Sequence, residues 1–192
     1  MSNDKAPYAG FNSIIRFWKD AFEIYKYENG EWVDVGNVDG HLVPSKSPNE
    51  DKILYLIDFK IEKYNVLIKE NVSYIISNIQ PYPKHLEVNV KWLNKLADIY
   101  EINDSKNEVG ELIQNRNKIK TIKIAFDGIS GNVGTGRFIE GSQSAVAYAF
   151  NEVNFDRHKH KLEIDGAMYN ITQILDESGI GKFVRLNLER SD

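Results

Sequence analysis

Residues 162–174 read LEIDGAMYNITQI, and residues 184–190 continue with VRLNLER. Apolar and polar residues alternate on both sides of the Asp165-Gly166 pair, a dipeptide that readily adopts the positive φ angles of a tight hairpin. Alternation with a period of two is typical of strands that bury one face. The stretch therefore predicts three consecutive antiparallel strands.

A similar phrase occurs earlier in the chain, which indicates an internal duplication. Residues 66–79 read VLIKENVSYIISNI, and Tyr74 precedes Tyr169 by 95 positions (169 minus 74). Further upstream, the turn dipeptides Asn29-Gly30 and Asp127-Gly128 stand 98 positions apart, each after an alternating stretch. A repeat of this length predicts two related modules in tandem.

The predicted fold is mainly β, with two tandem small antiparallel β-barrel or sandwich modules and a short helical connection. The helix is predicted because Leu93, Leu96, Ala97 and Tyr100 have helical spacing. The predicted boundaries are an N-terminal arm at 1–20, a first β-barrel module at 21–93, a connecting segment at 94–118 and a second module at 119–192.

Composition narrows the classes of function. The net charge of −4 and the pI near 5.6 argue against a chain that binds nucleic acid through overall electrostatics. The chain has no cysteine, which excludes disulfides, cysteine zinc sites and thiol catalysis. It shows no signal-peptide pattern and no apolar run of about 18 residues that would span a membrane. We expect a soluble protein made in the cytoplasm.

A glycine-rich stretch follows Phe126, but it does not fit a phosphate-binding loop. Such a loop needs a helix behind it, and a P-loop also needs Gly-Lys-Ser/Thr, whereas the residues that follow alternate like a strand. We interpret the stretch as a long loop to which glycine gives conformational freedom. No cofactor is expected.

The densest positive segment is Arg157, His158, Lys159, His160 and Lys161. Two histidines in a His-x-His arrangement on a strand would share one face, as in some metal sites. The flanking cations disfavour a metal ion, so we predict no metal site and a solvated basic hairpin instead. This hairpin is a candidate contact for an anionic partner such as DNA or an acidic subunit surface.

The repeated phrase resembles the C-terminal half of head-closure proteins of tailed bacteriophages, also called head–tail connector or stopper proteins. It covers about thirty residues in each module, with Glu70-Asn71-Val72 in the first copy in place of Asp165-Gly166. Members of that family usually have one such barrel, whereas this chain has two copies of the phrase. This difference leaves the stoichiometry open.

The resemblance implies a virion protein of the phage neck that is made in the host bacterial cytoplasm. Such a protein forms a homo-oligomeric ring, six- or twelve-fold here, that joins the portal or adaptor to the tail proteins. Packaged double-stranded DNA passes through the ring, and a long loop helps to close the channel. Two stretches are candidate gating or subunit-contact loops, namely 128–141, with Gly128, Gly131, Gly134, Gly136, Arg137 and Gly141, and 37–51, with Gly40 and Lys46.

Two alternatives remain open at this stage. One is another β-barrel layer of a virion, such as a tail-completion, tail-tube or baseplate-hub protein. The other is an OB-like module that binds oligonucleotides or carbohydrates, with Trp18, Trp32 and Tyr82 as stacking platforms. An enzyme is not expected, because the sequence has no paired carboxylates or Gly-x-Ser-x-Gly elbow to support one.

Overall fold

The computed structural model describes residues 20–43, 52–56, 61–83, 85–106, 109–127 and 144–191. These residues form strands and turns, and none of them belongs to a helix. A helix able to cross a membrane is likewise absent from the described ranges. Contacts divide the chain into two compact units, Met1–Trp92 and Leu93–Asp192.

Each unit contains six of the strands, which range from 4 to 16 residues in length. In the first unit they are β1 Asp20–Glu28, β2 Glu31–Val43, β3 Lys52–Leu56, β4 Val66–Lys69, β5 Val72–Tyr82 and β6 His85–Trp92. In the second they are β7 Lys95–Lys106, β8 Leu112–Asp127, β9 Ser144–Phe150, β10 His160–Ile164, β11 Ala167–Asp176 and β12 Phe183–Arg190.

Both units are closed antiparallel barrels with the same strand order. The first runs β1-β2-β3-β6-β5-β4, and β4 closes the barrel by pairing with β1. The second runs β7-β8-β9-β12-β11-β10, and β10 closes it by pairing with β7. The prediction of two related β modules is confirmed at the level of topology.

Each barrel is filled by its own apolar core. Alternate residues point inward, as in β12, where Leu186 and Leu188 are buried and their neighbours Arg185, Asn187 and Glu189 are half-exposed. Phe22, Leu54 and Leu67 hold comparable places in the first barrel and are 1% exposed or less. Barrels of this size are filled by side chains, so their interiors are cores and not channels.

The pairing of strands aligns the two copies residue by residue. Leu67 lies opposite Tyr74 in the first barrel, and Leu162 lies opposite Tyr169 in the second. Glu70-Asn71 and Asp165-Gly166 are the equivalent two-residue turns, and all four residues have positive φ. The offset of 95 (169 minus 74) therefore holds throughout this hairpin.

The predicted helical connection is wrong. Within the predicted connecting segment 94–118, residues 95–106 lie in β7 and residues 112–118 lie in β8, so the segment supplies most of the first hairpin of the second barrel. Its apolar residues alternate as in a strand, because Ala97 and Ile99 are buried and Leu96 is 60% exposed. A helix was wrongly predicted here because a short set of apolar residues can match both the helical period of about 3.6 residues and the strand period of two.

Two upstream predictions also need correction. Asp127 is the last residue of β8, so it does not begin a counterpart of the Asn29-Gly30 turn, and the equivalent hairpin connection lies between Lys106 and Leu112. The predicted loop at 37–51 is strand up to Val43. Within it, Gly40 is a buried strand residue that pairs with both Asp20 and Leu56.

Candidate interaction surfaces

The basic segment lies at the turn that leads from β9 into β10. Residues 157–159 form the turn, and His160 is the first residue of β10. The carboxylate of Asp156 accepts a 2.8 Å hydrogen bond from the His158 backbone N–H, which lowers the pKa of Asp156. The guanidinium of Arg157 donates from Nε to Nε2 of His158 at 3.0 Å. The turn is thus held by its own side chains.

His160 does not belong to the exposed part of this segment. Its ring is buried, and Nδ1 accepts a 3.1 Å hydrogen bond from the Asp156 backbone N–H. Phe155 packs edge-on against it, with ring centroids 6.3 Å apart. Burial disfavours the charged imidazolium and lowers the pKa of His160. The exposed cations of the turn are therefore Arg157 and Lys159.

The last predicted residue of the patch, Lys161, is half-buried on β10 and donates from Nζ to Oε1 of Gln114 at 3.4 Å. The two histidines do not share a strand face, because His158 is in the turn. Among the described residues, no group of three or more His, Asp or Glu side chains could hold a metal ion.

The candidate gating loops fall largely outside the described residues. Gly128, Gly131, Gly134, Gly136, Arg137, Gly141 and Lys46 all lie there, as does Trp18 from the OB-like alternative. Of the other two stacking candidates, Trp32 is 40% exposed and its ring lies 5.1 Å from Tyr27. The ring of Tyr82 stacks on His85 at 4.8 Å.

The first hairpin of each barrel, β1–β2 or β7–β8, is long. The end of the hairpin near its turn extends beyond the residues that pair with the closing strand, which is β4 or β10. We name these parts the first arm, residues 26–34, and the second arm, residues 102–118. β1 pairs with β4 only up to Tyr25, and β7 pairs with β10 only up to Glu101. Within the described positions, the arm strands pair with one another and with no other strand.

A β-bulge marks the base of each arm at the same topological position. The pairing shifts between Ile24 and Tyr25 in β1, which leaves Val35 as the extra residue of β2. It shifts between Ile99 and Tyr100 in β7, which leaves Ile119 as the extra residue of β8. Both bulged residues are exposed. Bulges bend a strand and increase its local twist, so each arm begins at a bend in its hairpin.

Most side chains of the second arm are polar, and cross-strand side-chain contacts stabilise it. Asn115 Nδ2 donates to Ser105 Oγ at 2.8 Å, and Lys118 forms a 2.7 Å ion pair with Asp98 at the base. Sequence analysis missed this arm because a strand without a buried face shows no alternation.

The two barrels differ at the connection between their last two strands. In the first barrel, Tyr82 pairs directly with His85. In the second, a longer loop follows Asp176, whose carboxylate accepts hydrogen bonds from the N–H groups of Ser178, Gly179 and Gly181 at 2.8–3.0 Å. The Ser178 hydroxyl and these amides lower the pKa of Asp176. The loop is thus preorganised, and it presents Ile180 to solvent.

Several solved structures resemble this chain, among them the following three. A chain of the virion of a native gene transfer agent particle superposes with a TM-score of 0.41 at 12% identity, covering 51% of this chain and 94% of that one. The Bacillus subtilis inhibitor of motility MotI/DgrA gives 0.21 at 10% identity, covering 90% and 88%. MrkH, described as a c-di-GMP dependent transcription regulatory factor, gives 0.22 at 10% identity, covering 95% and 81%.

These TM-scores all lie below 0.5, so the similarities assign neither a family nor a function to this chain. No family model matches the sequence. No curated protein matches it either.

Proposed function

We propose that the chain is a non-enzymatic structural protein of a phage-type virion. In this role it forms a ring in the neck that joins the DNA-filled head to the tail and helps to close the DNA channel. The observation that carries the proposal is the duplication of one barrel with its own packed core. The repeated phrase that resembles head-closure proteins occupies the same three strands, β4–β6 and β10–β12, in both barrels.

The distribution of side chains supports docking in preference to chemistry. The interiors are apolar, and exposed apolar side chains occur on the arms and at their bases, on the barrel wall at Leu96 and in the loop after Asp176. Surfaces of this kind suit a subunit that contacts neighbours on several sides.

Duplication also suggests the number of chains in the ring. Six copies of a chain with two similar barrels would present twelve barrels, which could match a twelve-fold portal on one side and a six-fold tail on the other. Native mass spectrometry of the isolated ring tests this. Six chains are expected, and twelve chains would contradict it.

The location in the particle is the decisive test of the proposed function. Tailed particles are purified from cells that encode the chain, and a tag on the chain is labelled with gold for electron microscopy. Label is expected at the junction of head and tail, and deletion of the gene should yield heads that lack tails and have lost their packaged DNA. A chain missing from purified particles would refute the proposal, and label along the tail or at its tip would indicate another β-barrel layer instead.

A further inference from the structure

The longest strand of each barrel has an edge without a strand partner over much of its length in the described structure. β2 pairs with β1 from Glu31 to Gly40 but pairs with β3 only from Gly40 onward. β8 pairs with β7 from Leu112 to Ile124 and with β9 only from Ala125 onward. An edge of this kind can add a strand from another molecule through backbone hydrogen bonds.

The two edges carry charges of opposite sign. β2 contains three carboxylates, Glu31, Asp34 and Asp39, and no lysine or arginine. From Leu112 to Phe126, β8 contains four cations and no carboxylate. These cations are Arg116, Lys118, Lys120 and Lys123. Like charges disfavour the pairing of two β2 edges or two β8 edges, and opposite charges favour the pairing of β2 with β8.

We propose that the β2 edge of one copy pairs with the β8 edge of the next copy. This inference builds on the proposed ring and names its subunit contact. Because the two surfaces differ, the contact is head-to-tail, and repeated head-to-tail contacts produce a closed ring or a filament. A symmetric dimer, which uses the same patch twice, does not result.

Exposed apolar residues on both edges add to the charge complementarity. Val33 and Val35 are each 45% exposed on β2, and Ile113 and Ile119 are 43% and 39% exposed on β8. Pairing of the edges would remove part of this surface from water, at about 25 cal/mol per Å² of apolar area.

The ion pairs within the second barrel show which cation best tests the contact. Lys118 pairs with Asp98, and Lys120 pairs with Glu152. The Arg116 guanidinium makes no ion pair or hydrogen bond with any residue that the structure describes, and it is exposed. Its charge is therefore available to a carboxylate of a second copy.

Disulfide trapping tests the contact, because the natural chain has no cysteine. Val33→Cys and Asn117→Cys are prepared as two separate proteins, mixed and oxidised. A disulfide-linked heterodimer is expected, and the double variant V33C/N117C should give a ladder of oligomers. The matched control is Leu96→Cys, an exposed position in the barrel wall on β7, which should not cross-link with Val33→Cys.

Charge variants test the electrostatic part. Arg116→Glu should reduce the cross-linking yield several-fold, whereas Arg116→Lys should keep it, and added salt should lower the yield by screening. Far-UV circular dichroism of each variant checks that the barrels are folded. If Arg116→Glu leaves the yield unchanged but weakens binding to duplex DNA, β8 is a nucleic-acid surface and the inference is refuted.

Three other results would also overturn the inference: homodimers of Val33→Cys alone, equal cross-linking to Leu96→Cys, or no cross-link at all. None of them bears on where the chain lies in a particle, since a neck ring could use other surfaces. Conversely, a strong V33C–N117C cross-link in a protein that is absent from particles would support the contact and refute the proposed function.

Discussion

A buried polar residue lies at the start of the fourth strand of each barrel, β4 or β10. In both barrels its side chain accepts a hydrogen bond from a backbone N–H of the preceding turn. Asn65 immediately precedes β4 and is 2% exposed, and its Oδ1 accepts a 2.7 Å hydrogen bond from the Glu62 backbone N–H. His160, 95 positions later (160 minus 65), accepts the Asp156 N–H through Nδ1. Two different side chains thus satisfy the backbone of the turn that enters the strand. This position therefore requires a side chain that accepts a hydrogen bond, and it does not require an imidazole ring.

This equivalence predicts that the His160→Asn variant folds and that its free energy of unfolding depends less on pH. The folded state lowers the pKa of His160 below its usual 6.5. The resulting stabilisation is fully present above pH 6.5 and is lost as the pH falls through 6.5 toward the folded pKa, because the unfolded chain then takes up the proton more readily. Urea unfolding at pH 7.5 and at pH 5 should show a smaller acid loss for the variant than for the natural chain.

His158→Asn is the matched control, because this neighbouring histidine is exposed. It should leave the acid loss of stability unchanged. An equal effect of the two substitutions would show that burial of His160 does not cause the pH dependence.

At the scale of elements, the two barrels share irregularities as well as strands. β5 shifts its pairing between Ile76 and Asn78, and β11 shifts between Ile171 and Gln173. The residue at each bulge, Ser77 or Thr172, donates its hydroxyl to the backbone carbonyl of Asn89 or Asn187 at 3.0 Å in both cases. Shared bulges with the same hydrogen bond support duplication more strongly than shared alternation does, since any half-buried strand alternates.

The equivalent β4–β5 and β10–β11 turns give a prediction for Gly166. This glycine has a φ of 78°, and the equivalent Asn71 has a φ of 69°. Gly166→Asn should therefore be tolerated, since asparagine adopts this conformation at low cost. Gly166→Val should lower the free energy of unfolding by about 1–2 kcal/mol, the approximate cost of a left-handed backbone for other residues. Urea unfolding measures both, and equal losses would contradict a positive-φ requirement.

At the scale of the whole molecule, two barrels with separate cores should respond separately to core mutations. All three tryptophans, Trp18, Trp32 and Trp92, belong to the first unit, so their fluorescence reports on that unit. Leu54→Ala should destabilise the first barrel by about 2–5 kcal/mol and shift the fluorescence transition. Leu186→Ala should destabilise the second barrel by a similar amount and leave that transition in place, while circular dichroism detects both.

The matched control is Leu96→Ala, because this leucine is 60% exposed and its loss creates no cavity. It should change neither transition by more than a few tenths of a kcal/mol. Coincident shifts of fluorescence and circular dichroism after Leu186→Ala would instead indicate one cooperative unit.

The amino-acid sequence by itself determined the repeated hairpin of each barrel. Alternation around Glu70-Asn71 and Asp165-Gly166, together with Tyr74 and Tyr169, was sufficient, because a half-buried strand and a tight turn are local features. Only the tertiary structure decided the first hairpin of the second barrel, the position of Gly40 within a strand, and the burial of His160. The strands of the second arm pair with one another and bury neither face. Such strands can be recognised from their pairing in the structure, because their sequence shows no alternation of apolar and polar residues.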